Sequence, residues 1–333
     1  MSDTTANAPA PYVVPHSPLR EMLTGSVASI LITFIAVIAV GWFWVGPKFL
    51  SFGNISIMGS FVIVPLIVGA CAGFALLAGV VDLSIGSMVG FSSACFALLL
   101  SIGWDPVSAG AVTLALCLVF GGINAIAIVG FGAEPIAATL GMLVALRGIA
   151  WVLVGPSGSI FAFNVDLFTI VNQTLFGLPL FFLIAVLLTV LAAVVVTKTK
   201  LGRHVQAVGG DDRAAARAGI SVKRVRVVAL LFSAFGAGVG GIIYAGQLGS
   251  AARATGFGLE FQVYAALMIG GYSILRGGVG NPIGGALGLL AVAGVSNILD
   301  LRAISPYYVN IIVGLLLLAA VLLDRLRGGD AYE

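Results

Sequence analysis

The chain has 333 residues, 60% of them hydrophobic and only 9% charged; with a mean hydropathy of +1.16 it lacks the charge that the surface of a soluble domain needs, and it belongs in a bilayer. Its net charge of +3 sits in a few polar segments between apolar runs, so it marks orientation in a membrane and calls for no nucleic-acid partner. The expected fold class is all-α, a polytopic helix bundle, because a backbone in hydrocarbon must satisfy its own hydrogen bonds.

Residues 1–25 begin MSDTTANAPAPYVVPHSPLR, polar and rich in Ala and Pro, and read as a disordered cytoplasmic arm. The apolar run behind them exceeds the roughly 7 to 15 residues of a signal-peptide core, so it is expected to stay as a first helix. Ten runs near the about 20 residues that cross the hydrocarbon can be drawn. They cover residues 26–45, 57–78, 85–102, 107–129, 136–154, 177–197, 227–247, 261–273, 282–298 and 307–323, the eighth being short. With both termini inside, residues 26–324 form the membrane domain and residues 325–333 a cytoplasmic tail. Twelve Lys and Arg then face the cytoplasm against Lys48, Arg253 and Arg302 outside, with Arg147 inside a span; that asymmetry is the positive-inside pattern. The sequons at Asn54 and Asn172 fall in loops expected outside.

Between the second and third runs, LLAGVVDLSIGSMVG puts Asp82 and Ser84 in almost no loop. One reading is a broken helix whose backbone faces a cavity, as transporters hold polar substrates. The other is a tight cytoplasmic turn in which either residue caps the third helix. DLSIGSMVG at 82–90 aligns without gaps on GNPIGGALG at 280–288, matching Gly86 with Gly284 and Gly90 with Gly288, as a transporter repeat or as chance. Arg147 lies mid-run, where a charge costs at least about 2.5 to 3.5 kcal/mol, so it must face protein, water or an acid such as Glu134, Glu260 or Asp82. A structural anchor is the plainer reading, substrate contact the sharper one.

The segment LGRHVQAVGGDDRAAARAGISVKRVR, with Lys198 and Lys200 before it, holds eight of the sixteen Lys and Arg residues. Gly209-Gly210 reads as a flexible turn, Asp211 or Asp212 as the cap of a short Ala-rich helix, and Gly219 as its end. Such a helix between two spans either receives force from a soluble partner or binds anionic lipid.

Several chemistries are excluded. Cys71, Cys95 and Cys117 lie in apolar runs away from any ligand neighbour, and His16 and His204 have no dyad partner. No G-x-x-x-x-G-K-[ST] occurs, so the chain has no P-loop of its own. The G-x-G-x-x-G of Gly236, Gly238 and Gly241 lies inside a span, where small residues let helices approach closely.

GRHVQAVGGDDRAAARAGISVKRVR, GVVDLSIGSMVGFSSA, PIAATLGMLVALRGIAWVL, ALMIGGYSILRGGVGNPIGGALG and SPYYVNIIVGLLLLAAVLLD, in this order, resemble the permease subunits of ribose-type bacterial ABC sugar importers. The resemblance covers nearly everything after Asn54. It implies an inner-membrane subunit, working as a pair and in the simplest case a homodimer, in contact with membrane lipid. It implies a cytoplasmic ABC ATPase that binds ATP and Mg, no cofactor in this chain, and a periplasmic sugar-binding protein. By that analogy residues 198–226 form the coupling segment, with Asp211, Asp212, Arg213, Ala215, Ala216, Arg217 and Gly219 meeting the ATPase. Asp82, Ser84, Asn124, Arg147 and Glu260 are the candidate pathway residues. The chain departs from the family at Glu134, before a proline, and at Asp300 and Arg302. Two alternatives stay open: a branched-chain amino acid or nucleoside permease of the same type, and an ion-coupled secondary transporter.

Overall fold

The computed structural model describes residues 26–328; the predicted arm, 1–25, and the last part of the predicted tail, 329–333, lie outside the described residues. Helices stand at every predicted run. They are α1 (Ser26–Val45), α2 (Phe52–Leu77), α3 (Ile85–Ser101), α4 (Pro106–Ala125), α5 (Pro135–Val154), α6 (Val165–Val171), α7 (Leu180–Lys198), α8 (Lys200–Gly210), α9 (Asp212–Arg217), α10 (Val222–Leu248), α11 (Leu259–Ile269), α12 (Pro282–Leu301) and α13 (Pro306–Gly328). A π-helical turn, Ile126–Gly130, prolongs α4. Among the described residues six helices, α2, α4, α5, α7, α10 and α12, are long and apolar enough to cross a membrane, and α1, α3 and α11 contribute shorter apolar stretches.

Local chemistry sets the starts. Asp105, Glu134 and Asn281 each stand before a proline, and each accepts from an amide of the first turn: Val107 N to Asp105 at 3.0 Å, Ala137 N to Glu134 at 2.7 Å, Ile283 N to Asn281 at 2.8 Å. Proline at the first helical position gives up an amide that would have no partner anyway. Capping therefore accounts for Glu134, one of the two family departures. Ser51 likewise caps α2, which starts earlier than residue 57 because Asn54 turns inward: its amide group and that of Asn297 bond each other at 2.8 and 3.0 Å. Asn54 is thus a buried helical residue, not a loop sequon. The basic segment is also more helical than expected, and Gly209-Gly210 is no turn but the end of α8.

α10 forms the centre, packed along α2, α3 and α4, while α12 joins α1, α2, α7 and α11. The glycines of the sequence motif make this possible: a Cβ on Gly236 would fall 2.4 Å from Cβ of Cys71, and one on Gly241 2.5 Å from that of Ser92. They are helix-packing residues, as small-residue spacing predicts. The inter-helix segments sort into two groups by contact. On one face Gly278 donates to the carbonyl of Leu77 at 3.0 Å beside Gly209, and α9 faces Ile128 and Val129. On the other face β1 (Ser159–Phe161) pairs antiparallel with β4 (Ser250–Ala252), β2 (Thr174–Leu175) pairs with β3 (Leu178–Pro179), and Arg302 lies 5.7 Å from the Trp44 ring centroid. These two small ribbons are the departure from a purely helical chain.

Candidate functional site

Four helices converge on the break between α2 and α3. One carboxylate oxygen of Asp82 accepts from Ser84 Oγ at 2.6 Å and Ser84 N at 3.1 Å, and the other from Ser233 Oγ at 2.7 Å. The Tyr264 hydroxyl donates to the Asp82 carbonyl and accepts from the Asp82 amide, both at 2.9 Å. Asn124 Nδ2 donates to Ser84 Oγ at 3.1 Å, and Leu83 N donates to Thr139 Oγ1 at 3.1 Å. Ser233 lies about 16 Å along α10 from its first residue, at 1.5 Å per residue. The break is therefore inside the bundle, with Asp82 and Ser84 buried and Ser84 making no side-chain cap bond. The break is buried, as the broken-helix reading expects, and Asp82 also accepts the amide of Ser84 just before α3, as the capping reading expects. Thr139, Ser233 and Tyr264 escaped the sequence reading, because a lone Ser, Thr or Tyr in an apolar run usually bonds its own helix or faces lipid.

A second cluster surrounds Arg147. Its guanidinium donates to the carbonyls of Thr255 at 3.1 Å and Gly256 at 3.2 Å, and lies 5.4 Å from the Phe257 ring centroid. Among the described residues it forms no ion pair, the one present being Arg226 with Asp212 at 3.2 Å. Arg147 therefore staples a loop. α11 is too short to cross about 30 Å of hydrocarbon alone, and residues 249–258 dip in to meet it; a Cβ on Gly256 would fall 2.1 Å from the Gly86 carbonyl oxygen. Glu260, in the first turn of α11, is buried against Gly86 with Oε2 unpartnered.

The glycines matched between 82–90 and 280–288 hold the two ends of this short helix. Gly86 and Gly90 touch Glu260 and the Thr255 carbonyl at its start, and Gly284 and Gly288 touch the carbonyls of Gly270 and Ala266 at its end. All five candidate pathway residues, Asp82, Ser84, Asn124, Arg147 and Glu260, are buried. They fall into these two clusters on either side of Gly86.

The coupling segment has its own geometry. Asp211 caps α9 through Ala214 N at 2.9 Å, and that amide bond, with smaller help from Arg213 and Arg217, holds its carboxyl below the usual carboxylate range. Gly219 adopts φ +82°, and Ile220 N closes the end by donating to the Ala215 carbonyl at 3.0 Å, a left-handed C-terminal cap that suits glycine. Ala215 is buried and anchors the helix, whereas Asp211, Arg213, Ala216, Arg217 and Gly219 are exposed and Asp212 is half-buried. A cleft of about 350 Å³ opens between Ala216, Lys223 and Val129. α9 is tied inward through α8: a Cβ on Gly209 would fall 1.9 Å from the Leu77 carbonyl oxygen and 2.4 Å from the Gly278 amide. The adjoining loop is held in turn by Asp324 of α13, which accepts from Ser273 Oγ at 2.8 Å and Ile274 N at 3.1 Å.

Comparison with known proteins adds a family. Residues 55–321 match the model described as branched-chain amino acid transport system / permease component. The chain is 31% identical to the D-allose transport system permease protein of Escherichia coli, over 88% of this chain and 90% of that protein. It is 30% identical to the ribose import permease protein of Haemophilus influenzae, over 90% and 92%, and 30% identical to an autoinducer 2 import system permease protein of Escherichia coli, over 88% and 86%. No solved structure matches.

Proposed function

The chain belongs to the family of branched-chain amino acid transport system permease components, and from that premise we propose that it is the membrane subunit of an ATP-driven importer for a monosaccharide or related polyol. The observation that carries the substrate class is the likeness, over about nine-tenths of the chain, to permeases named for allose and ribose. In this reading the chain crosses the bacterial inner membrane ten times with both termini in the cytoplasm. The face bearing α9 is cytoplasmic and the face bearing the ribbons periplasmic, in agreement with the cationic segment.

The working unit is two permease subunits, two ATPase subunits holding ATP and Mg, and a periplasmic binding protein; a second copy of this chain is the simplest pairing. The ATPase receives α9 through Asp211, Asp212, Arg213, Ala216, Arg217 and Gly219, while Ala215 fixes the helix to the bundle. Movement of α9 and α8 passes through Gly209 to Leu77 and Gly278. Those residues adjoin the break held by Asp82, Ser84 and Asn124 and the loop that leads into α12. α11, gripped by glycines at both ends, then shifts against Arg147 and the loop at 253–258. Bistable packed elements of this kind convert small displacements into alternating access.

The test is reconstitution of the chain with its ATPase and binding protein in proteoliposomes, following labelled ribose and allose together with ATP hydrolysis. Import is expected only with all components and ATP. Uptake by this chain alone under an ion gradient would sink the reading in favour of a secondary transporter. Ala216→Arg, which fills the cleft beside α9, is expected to leave the chain in the membrane while abolishing ATP-dependent import.

A further inference from the structure

On the ribbon face a groove of about 190 Å³ lies between α2, α10, α11 and α12. It is smaller than the about 300 to 1,000 Å³ of drug-sized pockets, so its occupant is small and compact. Tyr244, Gln262 and Asp300 line it, and among the described residues no side-chain hydrogen bond engages any of the three. Phe61 and Tyr244 supply aromatic surface, and Pro65 leaves the Phe61 carbonyl without its helical amide. Ser296 and Asn297 also line the groove but bond within the protein, whereas half-buried Tyr244 and Gln262 and exposed Asp300 keep their hydrogen-bonding capacity for an occupant.

The geometry points to a binding site for one uncharged polyhydroxylated ring, the outer station of the path, and this rests on the sugar-importer reading above. We infer that ring C–H faces lie on Phe61 and Tyr244 while hydroxyls bond Gln262, Tyr244 and Asp300. A hydroxyl is donor and acceptor at once, so it matches a Gln amide, a phenol and a carboxylate in one small space. No Lys or Arg lines the groove, whereas the Asp300 side chain does. A free amino acid would find nothing to pair its carboxylate, so the groove discriminates against the amino-acid class. The site also gives Asp300, a departure from the family pattern, a role. α11 divides the molecule here: Gln262 and Leu259 face the groove, and Glu260 faces Gly86. A shift of α11 would therefore move the groove floor and the buried seam together.

The test uses the assembled importer in proteoliposomes, with a labelled aldopentose, a labelled aldohexose and labelled leucine, scored as solute imported per ATP hydrolysed. Gln262→Leu, which roughly keeps the volume and removes the amide, is expected to lower sugar moved per ATP about tenfold, the loss of one half-buried hydrogen-bond partner. Tyr244→Phe, removing a single oxygen, is expected to lower it about threefold, and it carries the test alone if Gln262→Leu fails to assemble. Asp300→Asn is expected to change the ratio of pentose to hexose import, which a purely structural role would leave fixed. Import per ATP within twofold of wild type in every assembling variant, with an unchanged ratio, overturns the groove assignment while leaving sugar import standing. Import of leucine and neither sugar by the wild type overturns the functional reading itself.

Discussion

Replacing Arg147 by Leu removes the staple that holds residues 253–258 within the bundle. The two bonds to the Thr255 and Gly256 carbonyls measure 3.1 and 3.2 Å, at the long end of the ordinary range. The lower figure for a bond to a charged group therefore applies, about 1.5 kcal/mol each and about 3 kcal/mol together. The contact with the Phe257 ring at 5.4 Å contributes about a further 0.5 to 1 kcal/mol. Local opening of the loop should become at least about 100-fold more frequent, because each 1.4 kcal/mol is a factor of ten. Hydrogen exchange reads this directly at the amides of Thr255 and Phe257, which bond only the nearby carbonyls of Ala252 and Ala254. Arg147→Lys, whose single ammonium reaches one carbonyl and not both, should give roughly tenfold. Exchange of these amides in Arg147→Leu within threefold of wild type would refute the staple and return Arg147 to the substrate path.

Tyr264→Phe leaves both the amide and the carbonyl of Asp82 unpaired in a buried site, so detergent-solubilised protein should lose about 2 kcal/mol of stability; an unchanged thermal midpoint would mean that water takes the place of the hydroxyl. Gly209→Ala forces a methyl against the Leu77 carbonyl, an overpacking cost of about 1 to 3 kcal/mol, and should depress ATP-driven import more than membrane insertion; import at the wild-type rate would break the path from α8 to the α2–α3 break. For Asp211 the folded carboxyl titrates below its ordinary range, so its capping contribution is complete above about pH 4 and fades only as pH falls through the depressed value. Exchange protection of residues 211–219 should be flat from about pH 8 to 5 and drop in stronger acid, and Asp211→Asn, which keeps the acceptor, should remove the acid step; a decline already present at neutral pH would point to a different group.

Much of the site was legible in sequence because it rests on local rules. Asp211-Asp212, the Ala-rich turn and Gly219 declare a short capped helix by themselves, and glycine spacing at Gly236 and Gly241 declares close packing. Arg147 announced itself as a charge within an apolar run, and Asp82 as one set between two runs with almost no loop. Their partners did not. Arg147 binds backbone carbonyls more than a hundred residues away, and a carbonyl has no sequence signature, so the sequence left protein, water and a carboxylate all open as partners. Gly209-Gly210 looked like a turn because glycine permits one, yet its missing side chain serves an approach to Leu77 that only the fold creates. The groove of Tyr244, Gln262 and Asp300 was invisible for the same reason: Asp300 stood out in sequence, but its neighbours on two other helices did not, and the three gain meaning by convergence.

The sequence by itself determined a helical membrane protein, a helix at each long apolar run and the capped helix at 211–219. Each follows from apolar length, residue chemistry and spacing within one turn or one span. The tertiary structure decided that the α2–α3 break is buried and locked by Tyr264 and Ser233, that the short α11 is completed by an inward-dipping loop, and that Gln262 and Glu260 face opposite ways. Those outcomes depend on which helix faces meet, a pairwise packing property among residues distant in the chain that no single segment encodes.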